Sequence, residues 1–185
     1  RFEKIATWLA NKPEYTFEHL DFKQLDRHIG DFVLVFNEAW ASFKENFKPL
    51  EKRYIMATLK KVKAIIEPEF IWIAYHNKKP VTIYLMYPDV NMILKHMNGN
   101  MNLFNKLKFL SLKKKNTMTR ARGVLMGTIP EFQAKGIEAA IILQLQKVFE
   151  KKDHYTEIEF SWVGDFNPKM KKIFLSVGTE QVKTY

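Results

Sequence analysis

The chain has 185 residues, 46% of them hydrophobic, enough for one substantial core and a single domain. It has no cysteine, which excludes disulfides, thiolate metal sites and a cysteine nucleophile, and no apolar run approaches the length of a membrane span. Lys and Arg total 30 against 20 Asp and Glu, a formal charge of +10 that favours an anionic partner: a nucleic acid, a phosphate-bearing cofactor or a membrane surface. No signal-peptide pattern is visible, and a cytoplasmic location is expected. The chain starts at Arg1 and stops at Tyr185 inside a strand-like stretch, as a fragment of a longer protein would.

Residues 15–20 alternate loosely and read as a first strand. A helix follows, with Leu25, Ile29, Phe32, Val33, Phe36, Trp40 and Phe43 on one face. Pro49 starts a second helix carrying Ile55, Leu59, Val62 and Ile66, and Pro68 ends it. Residues 70–75 are a strand, 76–79 a hairpin turn and 81–87 the returning strand, closed by Pro88 and Asp89. Asn98-Gly99-Asn100 is a loop. Leu103, Phe104, Leu107 and Leu110 suggest a short amphipathic helix, and 113–116 a polar turn. A strand over 119–128 leads to a long helix over 137–152 and a strand over 156–163, with Ile158, Phe160 and Trp162 on one face. Asn167 caps a last helix with Pro168 at its first position, Gly178 stops it, and 182–185 begin a final strand. The order is β-α-α-β-β-(α)-β-α-β-α-β, a mixed α/β chain without repeats or linkers.

The junction between the 119–128 strand and the long helix carries the chemistry. Its turn is Glu131-Phe132-Gln133-Ala134-Lys135-Gly136. Free N–H groups and the helix dipole make such a helix start an anion cradle. A Walker loop needs Gly-Lys followed by Ser or Thr, but here Lys135 precedes Gly136 and Ile137 follows. A dinucleotide fingerprint needs three glycines, and the turn has one. Read alone, the hexapeptide is equally an ordinary strand–helix connection.

A third pattern fits better: Gln/Arg-x-x-Gly-x-Gly/Ala between a strand and a helix. Gln133 and Gly136 match it, and Glu138 stands where a small residue is usual. This resembles the acyl-CoA-binding motif of the GNAT acetyltransferase superfamily. The element order is similar to the GNAT fold over roughly residues 15–185. Asn37-Glu38-Ala39-Trp40, Tyr87-Pro88-Asp89-Val90-Asn91, Glu159-Phe160-Ser161-Trp162-Val163 with Asp165 and Asn167, and Val182-Lys183-Thr184-Tyr185 agree with it. Together they look like a bacterial GNAT-like subgroup with a helical insert, here 90–118, between strands three and four.

The resemblance implies one GNAT-like domain over 1–185, a mixed central sheet flanked by helices, and acetyl-CoA or another acyl-CoA as cofactor. Strands four and five would splay, with pantetheine pairing to the backbone of Met126, Gly127, Thr128 and Ile129. The pyrophosphate would sit on the N–H groups of Gln133, Ala134, Lys135, Gly136, Ile137 and Glu138, with Lys135 adding charge. Glu138 either repels phosphate or points away and favours the helix N-terminus. Asn167 matches a pantetheine-bonding position as well as a helix cap. The acid that protonates the leaving thiolate is often a Tyr seven residues after that Asn, and here the position is Phe174. Phenylalanine donates no proton, so water or Tyr155 serves, thiolate leaves unassisted, or the chain does not catalyse.

As the base that deprotonates the amine, Glu159 is the candidate, sharing a strand face with Glu157 and Ser161; the alternative is that both carboxylates face solvent. Asp89 is a second carboxylate near the acceptor side or a turn residue. The five histidines have no metal-ligand spacing, so no metal is expected. The leading reading is an acyl-CoA-dependent N-acetyltransferase acting on a small-molecule or peptide amine. The alternatives are a GNAT-fold binding module without transferase activity, or a nucleic-acid-binding protein using the acid-free stretch 90–130. That stretch lacks a recognised motif, so nucleic acid is not the expected partner, nor is a membrane. Its eight basic residues are equally a solvated lysine surface.

Overall fold

The computed structural model describes residues 2–41, 47–160, 163–164 and 167–182. Phe43, Ser161, Trp162, Asp165 and 183–185, used in the reading above, lie outside them. Strands β2 (Ile71–His76) and β3 (Lys79–Pro88) are buried along nearly their whole length, as suits the middle of a sheet covered on both faces. Asn77 and Lys78, at φ 47° and 66°, form the two-residue turn between them, whose twist matches that of the flanking strands. β1 (Tyr15–His19) pairs with β2, and β4 (Arg120–Thr128) with β3, both antiparallel. β5 (Glu157–Phe160) pairs with β4 in parallel, so the sheet runs in the order β1-β2-β3-β4-β5. A parallel pair needs a crossover, which α6 (Ile137–Lys151) supplies.

Consecutive residues of β4 reveal the layers. A Cβ on Gly127 would lie 2.1 Å from the Trp40 ring, at the end of α2 (Leu25–Trp40), while the Thr128 hydroxyl bonds Glu138 of α6. Neighbouring strand residues point to opposite faces, so α2 and α6 cover opposite sides of the sheet. Ile29 of α2 and Leu59 of α3 (Lys52–Val62) pack on Ile71 and Leu85 on the α2 side. On the other side α1 (Phe2–Ala10), a helix outside the elements expected from the sequence, docks Ala6 and Leu9 into the core beside α6. A fully buried leucine or isoleucine side chain contributes about 1.5–3 kcal/mol.

Three expectations need correction. α3 starts at Lys52, not at Pro49, because Leu50 is first tied to α2: its N–H donates to Asn37 Oδ1 (2.7 Å) and its C=O accepts from Asn37 Nδ2 (3.0 Å). Pro68 opens a short 3-10 turn before β2. Between β3 and β4 lie α4 (Asn91–Leu94) and α5 (Leu103–Lys114), and α5 turns its expected apolar face outward. Leu103, Phe104, Leu107 and Leu110 are 52–75% exposed, whereas Phe109 packs with Ile93, Met97 and Met118. The inward line of α5 is Phe109 and Leu112, about half a turn away. α7 (Pro168–Ser176) is built as read, with Asn167 Oδ1 accepting from the Met170 N–H at 3.2 Å and Gly178 at φ 84° beyond its end. Val182 is exposed and in no strand.

Candidate functional site

The functional geometry lies along the edge of β4 that faces β5. Met86 pairs with Gly123 and Leu85 with Leu125, so Val124 is an extra residue, a bulge that bends the strand. Among the described residues, the last β4–β5 pair is Gly123 with Phe160, and after it 125–128 pair with β3. A cavity of about 230 Å³ lies beside this stretch, lined by Trp40, Tyr84, Gly123, Met126, Asn167 and Phe174 among others.

At the other end of this edge is the turn into α6. After Thr128 the chain makes a 3-10 turn over Pro130–Phe132, and Gln133 Nε2 donates back to the Thr128 carbonyl (3.2 Å). Ala134 is left-handed at φ 61°, and so is Gly136, the N-cap of α6, at φ 86°. A Cβ on Gly136 would also lie 2.8 Å from Ile5 Cγ2 of α1. Glycine is therefore required there twice, by backbone and by space. Ala134 holds a conformation that costs an L-residue about 1 kcal/mol, a strain of the kind that clusters at ligand-binding turns. Gln133, Ala134 and Lys135 are exposed, so the first N–H groups of α6 lie under an open turn.

The side chains in this turn resolve what the sequence left open. Glu138 is buried and faces the sheet: its Oε1 accepts the Thr128 hydroxyl at 2.7 Å, and Thr128 Oγ1 accepts the Thr82 hydroxyl at 3.1 Å. It sits in the first turn of α6, where the dipole favours a carboxylate. Lys135 is laid over the Phe132 ring, its Nζ 4.2 Å from the centroid. Ile137 is fully buried, so its contribution at the helix start is its backbone.

At the Gly123 end, Phe174 stacks on Phe160 with ring centroids 4.2 Å apart, and Asn167 lines the cavity while capping α7. Tyr155 is not among the residues lining the cavity: its hydroxyl donates to Glu67 Oε1 (2.8 Å), among Phe70 and Phe149. The hydroxyl the sequence reading missed is that of Tyr84, in β3. Tyr84 is 1% exposed, its Oη has no hydrogen-bond partner, and a Cβ on Gly123 would lie 2.3 Å from it. Burial pushes its pKa up from the ordinary phenol value. Nothing in the local pattern of β3 marks Tyr84; only the pairing of β3 with β4 brings it beneath Gly123.

The carboxylates expected to act as bases are paired. Glu159 accepts from Arg122 (2.9 Å) and Glu157 from Arg120 (2.9 Å), cross-strand partners in register. Phe160 faces Tyr84 and Gly123, so by alternation Glu159 points to the opposite face of the sheet. Asp89 is the turn residue of the two readings: Oδ1 accepts the Asn91 N–H at 3.1 Å, and Oδ2 lies 3.5 Å from Arg120. These acids come from outside the stretch 90–130 and neutralise two of its cations, while Lys108 and Lys113 donate to backbone carbonyls of His96 and Ala64. Among the described residues no cluster of His, Asp and Glu can hold a metal, and no helix is long and apolar enough to cross a membrane.

No protein-family model matches the chain. It is 25% identical to Protein YghO of Escherichia coli (strain K12) over 154 residues, which are 82% of this chain and 39% of that protein, so the chain spans about two fifths of this relative's length. Among solved structures it is similar to an N-acetyltransferase from Staphylococcus aureus (TM-score 0.60, 10% identity, 91% of this chain and 85% of that one). It is also similar to an aminoglycoside acetyltransferase from an uncultured soil metagenomic sample (TM-score 0.59, 13% identity, 93% and 94%). A third is Naa50 of Arabidopsis thaliana in complex with the bisubstrate analogue CoA-Ac-MVNAL (TM-score 0.54, 14% identity, 93% and 87%). At these identities the likeness is one of fold.

Proposed function

We propose that this chain, which has the fold of the GNAT acetyltransferases, binds an acyl-CoA along the free edge of β4 and transfers the acyl group to an amine. The observation that carries this reading is continuity. A cradle of helix N–H groups at Gly136 and the cavity beside Gly123 lie at the two ends of one stretch of β4. The pyrophosphate takes the cradle, where dipole and backbone donors bind anions without a dedicated cation. Pantetheine adds to the edge of β4 as a strand would, bonding backbone groups of 124–128. The thioester then reaches the cavity beside Gly123, Asn167 and Phe174.

Aminolysis there joins the amine nitrogen to the carbonyl carbon, expels the thiolate and releases one proton from nitrogen. Glu159, held by Arg122, reaches that proton only if the pair opens, and water entering the cavity is the other acceptor. The acceptor class is a small-molecule or peptide amine, as in the aminoglycoside acetyltransferase and the peptide-analogue complex that share the fold. Titration with acetyl-CoA in a calorimeter tests the reading: binding below ~1 mM, roughly −4 kcal/mol or better, is expected. Silence at millimolar acetyl-CoA would sink it. Thiol release with a panel of amines then separates a transferase from a module that only binds.

A further inference from the structure

We propose that the Tyr84 hydroxyl donates a hydrogen bond to the thioester carbonyl oxygen of the bound acyl-CoA and stabilises the negative charge that gathers there during transfer. The inference rests on the acyl-CoA reading above. Its first support is an orphaned donor: Tyr84 is 1% exposed and its Oη has no partner, which interiors rarely tolerate without a use. Its second is position. The hydroxyl lies at Gly123, which among the described residues is the last of β4 paired to β5, and Tyr84 and Gly123 both line the cavity. Among the described residues lining that cavity, Tyr84 is the only one with a hydroxyl.

Its third support is space. Any side chain on Gly123 would place a Cβ 2.3 Å from Oη and 3.2 Å from Phe160 Cδ1. Glycine leaves the hydroxyl its place against β4. From Thr128 to Gly123 the strand runs roughly 16 Å at about 3.3 Å per residue, comparable to an extended pantetheine arm. A CoA anchored at the Gly136 cradle thus delivers its thioester to Tyr84. The other phenol considered, Tyr155, is engaged by Glu67, and Phe174 has no proton to give.

The step balances without a proton leaving Tyr84. The amine lone pair forms the C–N bond and the carbonyl π electrons move to oxygen, where the phenol O–H meets them. Collapse restores C=O and breaks C–S, the electron pair leaving on sulfur, while the amine proton passes to water. Burial raises the pKa of Tyr84, which keeps the phenol protonated as a donor throughout.

The test is Tyr84→Phe, read by infrared spectroscopy of carbonyl-13C acetyl-CoA bound to each protein, with calorimetry, turnover and thermal unfolding alongside. In the wild type the thioester C=O stretch is expected below its value in free acetyl-CoA. In Tyr84→Phe it should move back towards the free value, with affinity changed by less than about threefold and turnover of any accepted amine lower by roughly 10²-fold. The Tm should stay level or rise, since the hydroxyl removed bonds nothing in the free protein. A carbonyl stretch identical in the two proteins overturns the inference alone, as does a lowered Tm with intact turnover. No acetyl-CoA binding by the wild type overturns the acyl-CoA reading and this inference with it.

Discussion

The two ends of the β4 edge are built in opposite ways. At the Gly136 end the structure is local and made of backbone: two left-handed residues, one latch from Gln133 to Thr128 and the first turn of α6, all within residues 128–138. At the Gly123 end it is non-local and made of side chains from α2, β3, β5 and α7, meeting around a glycine. A backbone site tolerates side-chain change and fails when the φ angle is denied. A side-chain site tolerates backbone neighbours and fails when one atom is added.

The largest expected effect follows at the backbone end. Gly136→Val places a β-branched residue at φ 86° and a Cβ 2.8 Å from Ile5 Cγ2, with a cost of about 3 kcal/mol. Urea denaturation should show that loss, and acetyl-CoA binding should vanish from calorimetry. A variant as stable as the wild type would mean that the left-handed turn is dispensable.

At the side-chain end, Gly123→Ala should cost about 2 kcal/mol, because its Cβ meets Tyr84 Oη at 2.3 Å while the next atoms are at 3.2 Å and beyond. Tyr84→Phe removes the colliding oxygen. In the double variant at least half of the loss should return, a coupling that a double-mutant cycle on unfolding free energies measures. Additive losses would separate Gly123 from Tyr84.

The same contrast governs what the sequence discloses. Strands β1 to β4, the hairpin at Asn77 and Lys78, the cap of α7 and the Gln133–Gly136 turn follow from residue types a few positions apart, and each stands where the pattern puts it. Tyr84 does not, since its meaning comes from Gly123, 39 positions away and across a strand pair. α5 shows a related failure. Leu103, Phe104, Leu107 and Leu110 have helical spacing, but Ile93, Met97 and Met118 offer a surface that Phe109 fills. Periodicity gives the existence of a helix and leaves its facing to tertiary packing. α1 went unread although Ile5, Ala6 and Leu9 carry the spacing of one face.

A polar group that is fully partnered gives the counterpart to Tyr84. Glu67 accepts from Lys152 Nζ (2.7 Å) and from the Tyr155 hydroxyl (2.8 Å). Burial alone would raise its pKa, but these two donors outweigh burial and hold the carboxyl below its ordinary value of 4.5. A depressed carboxylate stabilises the fold fully above 4.5, and that stability is lost as pH falls through the lowered value. Glu67→Gln should therefore lower stability by about 1–2 kcal/mol at pH 7, with the gap to wild type closing below pH 4.5 in urea titrations. Tyr84→Phe should show no such loss at either pH. If both variants lost stability alike, the distinction between a satisfied and an orphaned hydroxyl partner would collapse.

The smallest expected effect returns to the cradle. A carboxylate one residue into α6 would repel a pyrophosphate if it stood over the N–H groups, and its removal would then tighten binding tenfold or more, about 1.4 kcal/mol. Glu138 instead faces the sheet, 8% exposed, with the Thr128 hydroxyl on its oxygen. Glu138→Gln keeps an acceptor for Thr128, and forfeits the charge that the helix dipole favours, about 0.3–1 kcal/mol of stability. Acetyl-CoA affinity by calorimetry should stay within about threefold of wild type. A tenfold gain would place the carboxylate over the phosphate site, and the cradle would then depend on a side chain as the Gly123 end does.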